Sequence, residues 1–157
     1  MKGSRAVIVI GGVLLLLLAL IVPASLARSN AASGASYFVA PNGNDANPGT
    51  SDRPWRTIQK AANTVAPGST VYVRGGVYNE KVMMNVSGAP GQPIVFQSYP
   101  GETAIIDGSG LTPPEGWSAL LDIRDKSHLV IKGFELRNYQ TAKKNHMPMG
   151  IFVTGAG

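Results

Sequence analysis

The feature that most constrains the fold of this 157-residue chain is a rhythm of short β-prone segments after Pro67. Short apolar runs alternate with Gly, Pro and Asn and fall into units of two strands. The units begin at Val71, Ile94, Leu120 and Gly150, at spacings of 23, 26 and 30 residues. A recurrent unit of this length is typical of a solenoid whose coils differ in loop length. Helical repeats would not tolerate the Gly and Pro spacing, and propeller blades would be nearly twice as long.

This rhythm predicts parallel strands stacked in right-handed coils, because parallel crossovers are almost always right-handed. Each unit holds a first strand and, about ten residues later, a second one. We expect Val71, Ile94 and Leu121 to occupy one inward column of the solenoid. Alternation along the strands would then direct the charged neighbours of the apolar residues to the outside.

One helical segment precedes the strands. Its apolar residues follow the i, i+3, i+4, i+7 spacing of a single helical face: Ile58, Ala61, Ala62 and Val65. Thr57 stands where an N-cap hydroxyl belongs, and Pro67-Gly68 would end the helix. A single helix followed only by strands predicts a cap over the first coil, which would otherwise expose an apolar end and unpaired edges.

The N-terminus has the pattern of a targeting segment. Lys2 and Arg5 precede an unbroken apolar run from Ala6 to Val22, and small residues follow Pro23. This order predicts a secretory signal peptide over residues 1–27, with an uncleaved membrane anchor as the competing interpretation. We therefore expect a secreted protein, or else one anchored in the membrane and facing outside. Residues 28–36 are rich in Ser, Ala, Asn and Gly and predict a flexible linker.

Composition excludes several kinds of site. The chain has no cysteine, which excludes disulfides, thiolate metal sites and cysteine nucleophiles. The formal charge of +5 falls to +3 when Lys2 and Arg5 are removed with the signal peptide. Such a surplus favours weak attraction of a polyanionic polysaccharide, although it also suits an ordinary soluble surface. No interleaved basic and aromatic pattern indicates nucleic acid.

The order of elements from Tyr37 to Tyr78 carries a family resemblance. A short strand (Tyr37-Phe38-Val39), an Asn/Asp/Gly/Pro loop, one helix and a first β-coil follow one another. This order resembles the N-terminal cap and opening turn of secreted right-handed parallel β-helix proteins, most of all the family 9 polysaccharide lyases. The resemblance spans residues 37–157.

The resemblance implies an all-β chain, a right-handed parallel β-helix with a short N-terminal capping helix. Residues 37–69 would hold the N-terminal strand, the loop and the capping helix. Residues 70–157 would form the first three to four coils of a longer protein. We expect the catalytic coils of that parent to lie beyond Gly157.

The resemblance also implies a reaction, the β-elimination of a uronic-acid polymer. In the similar lyases a lysine removes the proton α to the uronate carboxyl, and Ca²⁺ held by Asp residues neutralises that carboxyl. We expect Ca²⁺ only in the full-length parent. The expected partner is an acidic polysaccharide, with no nucleic acid and with membrane contact only through an uncleaved N-terminal segment. Two alternatives stay open: a non-catalytic surface or adhesin-type β-helix that binds glycans, and a glycoside hydrolase on the same scaffold.

Few residues of this chain are candidates for the chemistry. Arg124 and Lys132 are outward cations that could bind a uronate carboxylate or act as the base, although either also suits a soluble surface. Asp122 and Asp125 are the nearest approach to a calcium pair, but a solvated strand end and a turn explain them equally. Trp117, in a Pro-rich loop, is the candidate for stacking on a sugar ring.

Overall fold

The structure is a computed structural model that describes residues 34–155. The predicted signal peptide or membrane anchor and residues 28–33 of the predicted linker lie outside this range. Across the described residues no helix is long and apolar enough to cross a membrane. The elements follow in this order: β1 Ser36–Val39, α1 Ile58–Thr64, β2 Thr70–Val73, β3 Gly76–Tyr78, β4 Val82–Met83, β5 Ile94–Ser98, β6 Ala104–Asp107, β7 Gly116–Arg124, β8 Leu129–Lys132, β9 Phe134–Arg137 and β10 His146–Thr154.

The strands form three parallel sheets. Sheet A has the order β1-β2-β5-β8, sheet B the order β3-β6-β9, and sheet C the order β10-β7-β4. Each coil gives one strand to each sheet: β2–β4 make coil 1, β5–β7 make coil 2 and β8–β10 make coil 3. The chain is therefore a right-handed parallel β-helix, and the predicted fold class is confirmed.

The predicted inward column of Val71, Ile94 and Leu121 is wrong. Val71 pairs with Phe96, and Phe96 pairs with Ile131, so these three share the inward column of sheet A. Ile94 lies two residues before Phe96 on β5, on the same strand face.

Leu121 belongs to sheet C, where it lies between Val82 and Ile151. The prediction failed because each coil contains three strands rather than two. Of the sheet B strands only β6 was predicted, and β3 and β9 were not, so the sequence pattern assigned strands of sheets A and C to one series.

Helix α1 closes the first end of the stack as predicted. Thr57 is its N-cap, and the Thr57 hydroxyl accepts a hydrogen bond from the Lys60 N–H at 3.1 Å. The Glu80 carboxylate, from the first coil, accepts the N–H groups of Ile58 at 2.8 Å and Gln59 at 3.0 Å. This carboxylate satisfies two free donors of the first helical turn and ties the cap to the coil. Burial raises the pKa of Glu80 in spite of these two bonds.

The loop between β1 and α1 folds back over the first coil. Trp55 is buried, stacks on Tyr37 with ring centroids 4.8 Å apart, and donates its indole N–H to the Asn47 carbonyl at 2.8 Å. Pro41 packs against Gly76, whose φ of 141° and missing side chain allow the approach. A Cβ on Gly76 would lie 2.6 Å from the Pro41 Cγ. The loop is thereby held close to the turn between β2 and β3.

Candidate functional site

Strand β7 of sheet C carries three of the five candidate residues, Trp117, Asp122 and Arg124. Asp122 lies in register with Met83 on one side and Phe152 on the other. Arg124 lies at the end of β7. The prediction of a loop position for Trp117 is wrong, because Trp117 belongs to the start of β7 and pairs in register with Met147. We call Trp117, Asp122, Arg124 and Phe152 the sheet C patch.

An ion pair holds the cation of the patch in place. The Arg124 Nε donates to the Asp122 Oδ1 at 2.8 Å, and the Nη2 donates to the Oδ2 at 2.8 Å. Asp122 is buried beneath a guanidinium that is itself half exposed. The hydrogen bonds to Asp122 raise the pKa of Arg124, so the group stays a cation and is unsuited to accept a proton. Its Nη1 donates to no acceptor in residues 34–155 and remains free for a ligand.

One aromatic ring, that of Phe152, lies against this cation, and the Trp117 ring lies against Phe152. Trp117 is 60 % exposed, and its ring meets that of Phe152 edge to face, with centroids 5.7 Å apart. The Arg124 guanidinium carbon lies 4.9 Å from the Phe152 ring centroid, within cation–π distance. The patch therefore presents an apolar ring beside a fixed positive charge.

A buried polar cluster anchors the segment next to Trp117. The side chain of Ser118 points into the fold, where its hydroxyl and that of Tyr139 share a short hydrogen bond. The Lys81 Nζ donates to the Ser118 Oγ at 3.0 Å and lies 5.9 Å from the Tyr139 ring centroid. Because Ser118 is buried and bonded twice, it anchors the start of β7 and leaves Trp117 exposed.

The other two candidates lie elsewhere. Lys132 is exposed at the end of β8 in sheet A, in register with Gln97. Asp125 is exposed in the turn after β7, with a φ of 53°. Arg124 and Lys132 thus lie on different sheets, and the structure does not bring them to one point.

The described residues do not fit the calcium ion that the family resemblance implies. Both Asp122 oxygens accept hydrogen bonds from Arg124, and Asp125 lies apart in a turn. Within residues 34–155 no three side chains of His, Cys, Asp or Glu are grouped so as to hold a metal ion. These side chains therefore supply no ligand set for Ca²⁺ within the described range.

Two features of the patch were missed by the sequence analysis. Asp122 and Arg124 are two residues apart on one strand, a spacing that places both side chains on the same face and could have predicted the ion pair. Phe152 lies between Ile151 and Val153, so alternation along the strand would place its ring on the opposite face from theirs. Because all three residues are apolar, the sequence indicates this less clearly. Its contact with Trp117 depends on the register of β7 with β10, which the sequence does not show.

Two curated relatives match most of this chain. The Bacillus subtilis (strain 168) protein YwoF is 35% identical over 124 residues, which are 79% of this chain and 26% of that protein. Pectate lyase PEL9 of Emericella nidulans is 34% identical over 125 residues, which are 78% of this chain and 30% of that enzyme. The chain thus spans less than a third of the length of either relative.

Solved structures with the same fold include two lyases. A rhamnogalacturonan lyase is 31% identical, with a TM-score of 0.59 over 66% of this chain and 28% of that one. Pectate lyase Pel9A is 26% identical, with a TM-score of 0.52 over 65% of this chain and 28% of that one. The family described as the Pel9A-like, right-handed β-helix region matches residues 37–157. This match covers more than half of the sequence, and the chain belongs to the Pel9A-like right-handed β-helix family.

Proposed function

We propose that this chain is the N-terminal part of a secreted, carbohydrate-active β-helix protein, a uronan lyase that acts by calcium-assisted β-elimination. Within it, the sheet C patch binds the acidic polymer. Secretion rests on the N-terminal sequence pattern, and the reaction rests on the family. The part assigned to the described residues is polymer binding.

The observation that carries this proposal is the ion-paired Arg124 against the Phe152 ring, with the exposed Trp117 in contact with that same ring. A uronic-acid residue has an apolar ring face and a carboxylate. Trp117 offers a surface for the ring, and the free Nη1 of Arg124 offers donors for the carboxylate. Because Asp122 already holds the guanidinium, little side-chain freedom is lost on binding.

The relatives support the choice of substrate. One curated relative is named a pectate lyase, and one structural relative is named a rhamnogalacturonan lyase. The raised pKa of Arg124 argues that this residue orients the polymer rather than removing a proton. Lys132 lies on sheet A, whereas the patch lies on sheet C, so the proposal assigns Lys132 no part in binding.

Binding to the patch is tested with oligogalacturonates. We expect the intrinsic tryptophan fluorescence to change on titration, since Trp117 is exposed and Trp55 is buried. Trp117→Ala should abolish the signal, and Arg124→Gln should weaken binding roughly tenfold, the value of one charge-assisted hydrogen bond. Lys143→Gln removes an exposed cation outside the patch and serves as the matched control.

The outcome that would overturn the proposal is equal binding by the wild type and Arg124→Gln, or an equal preference for a neutral oligogalactan. The reaction itself is tested on the full-length parent, where lyase activity appears as ultraviolet absorbance of unsaturated uronate products. Reducing ends released without that absorbance would instead identify a glycoside hydrolase.

A further inference from the structure

A recess lies between the cap and the first two coils, and it shares no residue with the sheet C patch. The cleft encloses about 330 Å³, at the low end of the range for small-ligand sites. We call it the cap cleft. Its walls come from β1, from the loop before α1 and from the turns that lead from sheet A to sheet B: Phe38, Ala40, Pro41, Asn42, Ser51, Asp52, Pro54, Arg74, Gly75 and Glu102.

An ion pair forms one wall of the cap cleft. The Arg74 Nε lies 3.0 Å from both Glu102 oxygens, and the Nη2 lies 2.7 Å from the Oε1. Glu102 also accepts the Gly75 N–H at 2.5 Å, and the guanidinium lies over the Tyr99 ring at 4.6 Å. This geometry leaves the Arg74 Nη1 as a donor without an acceptor among residues 34–155.

The opposite wall carries an acceptor. The Asp52 Oδ1 accepts the Thr50 hydroxyl at 2.6 Å, whereas the Oδ2 accepts nothing from the described residues. The hydrogen bond from Thr50 lowers the pKa of Asp52, so the carboxylate is ionised at neutral pH. The cleft therefore offers a free acceptor on Asp52 and a free donor on Arg74.

The third element of the cleft is apolar. Phe38 lies on β1, the edge strand of sheet A, and stacks on Tyr72 with centroids 5.4 Å apart and planes 22° apart. Phe38 also lines the cleft, together with Pro41 and Pro54. A sugar residue matches this combination, because its ring has an apolar face and each hydroxyl both donates and accepts a hydrogen bond.

The charges of the cleft select the kind of sugar. Glu102 neutralises Arg74, and Asp52 adds a negative charge to the lining of the cleft, whereas its neighbouring cation, Arg53, is not among the lining residues. A uronate carboxylate placed there would be repelled by the carboxylate of Asp52. A neutral sugar could instead donate a hydrogen bond from one of its hydroxyls to Asp52. We propose that the cap cleft binds a single neutral sugar residue of a glycan. This inference does not rest on the proposed function, because the two sites differ in position and in charge.

The test is an amide ¹H–¹⁵N NMR titration of the full chain with four neutral probes: the methyl glycosides of galactose, rhamnose, xylose and arabinose. Methyl galacturonoside is the charged comparison. We expect at least one neutral glycoside to shift the amides of Asp52 and Gly75 in a saturable way. Asp52→Asn should weaken the binding of that glycoside roughly tenfold. Asp125→Asn removes an equally exposed carboxylate outside the cleft and should change nothing.

Three results would overturn the inference: no saturable shift at these amides with any neutral glycoside, equal binding by Asp52→Asn, or tighter binding of methyl galacturonoside at the same amides. Phe38→Leu gives a second variant that keeps the strand apolar while removing the ring, and it should also weaken binding. Arg124→Gln should leave the neutral-sugar shifts unchanged. This variant therefore distinguishes an error in the proposal for the sheet C patch from an error in the proposal for the cap cleft.

Discussion

Arg124 covers the carboxylate of Asp122, two residues earlier on β7, through two hydrogen bonds of 2.8 Å. The two side chains share a strand face because residues two apart on a strand point the same way. The pair places a buried negative charge under a half-exposed positive one. The position of Arg124 is thereby set by the strand rather than by a flexible loop.

Removing the carboxylate should destabilise the fold modestly. We expect Asp122→Asn to lower the free energy of unfolding by about 1 kcal/mol, because charge-assisted hydrogen bonds are lost while Arg124 can still reach water. Urea unfolding measures this change. Asp125→Asn is the control, since Asn tolerates the positive φ of that turn, and its effect should stay below about 0.5 kcal/mol. Equal losses in the two variants would contradict a specific role for the pair.

The corrected inward column predicts an asymmetry along β5. Phe96 is fully buried between Val71 and Ile131, whereas its neighbour Val95 faces outward and is half buried. Phe96→Ala should cost about 3–5 kcal/mol by leaving a cavity in the stack. Val95→Ala, on the same strand, should cost about 1 kcal/mol or less. Thermal or urea unfolding compares the two, and a larger loss for Val95→Ala would refute the register.

Acid should weaken the stack through carboxylates that accept several hydrogen bonds in the folded protein. Hydrogen bonds from Ser109, then from Arg137 and Asn138, hold the pKa of Asp107 well below its ordinary value of 3.8. A lowered folded-state pKa stabilises the protein above the unfolded pKa, and that stability is lost as the pH falls below about 4. The bonds from Arg74 and Gly75 lower the pKa of Glu102 in the same direction.

Asp107→Asn should therefore be less stable than the wild type at neutral pH and should show a shallower loss of stability in acid. Urea unfolding from about pH 6 to about pH 2 measures both slopes. Parallel curves for the two proteins would show that the ionisation of Asp107 does not contribute to the acid sensitivity.

Activity gives a negative prediction for this chain assayed alone. It should release no unsaturated uronate from polygalacturonate, even with millimolar calcium. Arg124 is engaged by Asp122, Lys132 lies on another sheet, and residues 34–155 group no three metal-binding side chains. β-Elimination needs the base and the charge-neutralising group around one sugar. Calcium-dependent product that disappears in Lys132→Ala or Arg124→Ala would disprove this prediction.

Local interactions explain what the sequence predicted correctly. The capping helix follows from the hydroxyl of Thr57 and the spacing of Ile58, Ala61 and Ala62, all within two turns of chain. The parallel β-helix follows from repeated short strands broken by Gly and Pro.

The assignment of strands to sheets was decided by the tertiary structure. Thr70 pairs with Val95, and Val95 pairs with Val130, at separations of 25 and 35 residues. Coils of such different length leave no fixed period in the sequence, and two of the three sheet B strands, β3 and β9, lack a continuous apolar run by which they could be predicted. This is why Leu121 was placed in the wrong column.

The sequence by itself determined the fold class, the cap and the alternation of side chains along each strand, because these depend on neighbours a few residues apart. The tertiary structure alone decided which rings and charges meet: Trp117 with Phe152 across sheet C, and Arg74 with Glu102 beside the cap. Those contacts depend on register and on loop length. Both are set by the packing of whole coils, and that packing is a property of the assembled stack rather than of any segment.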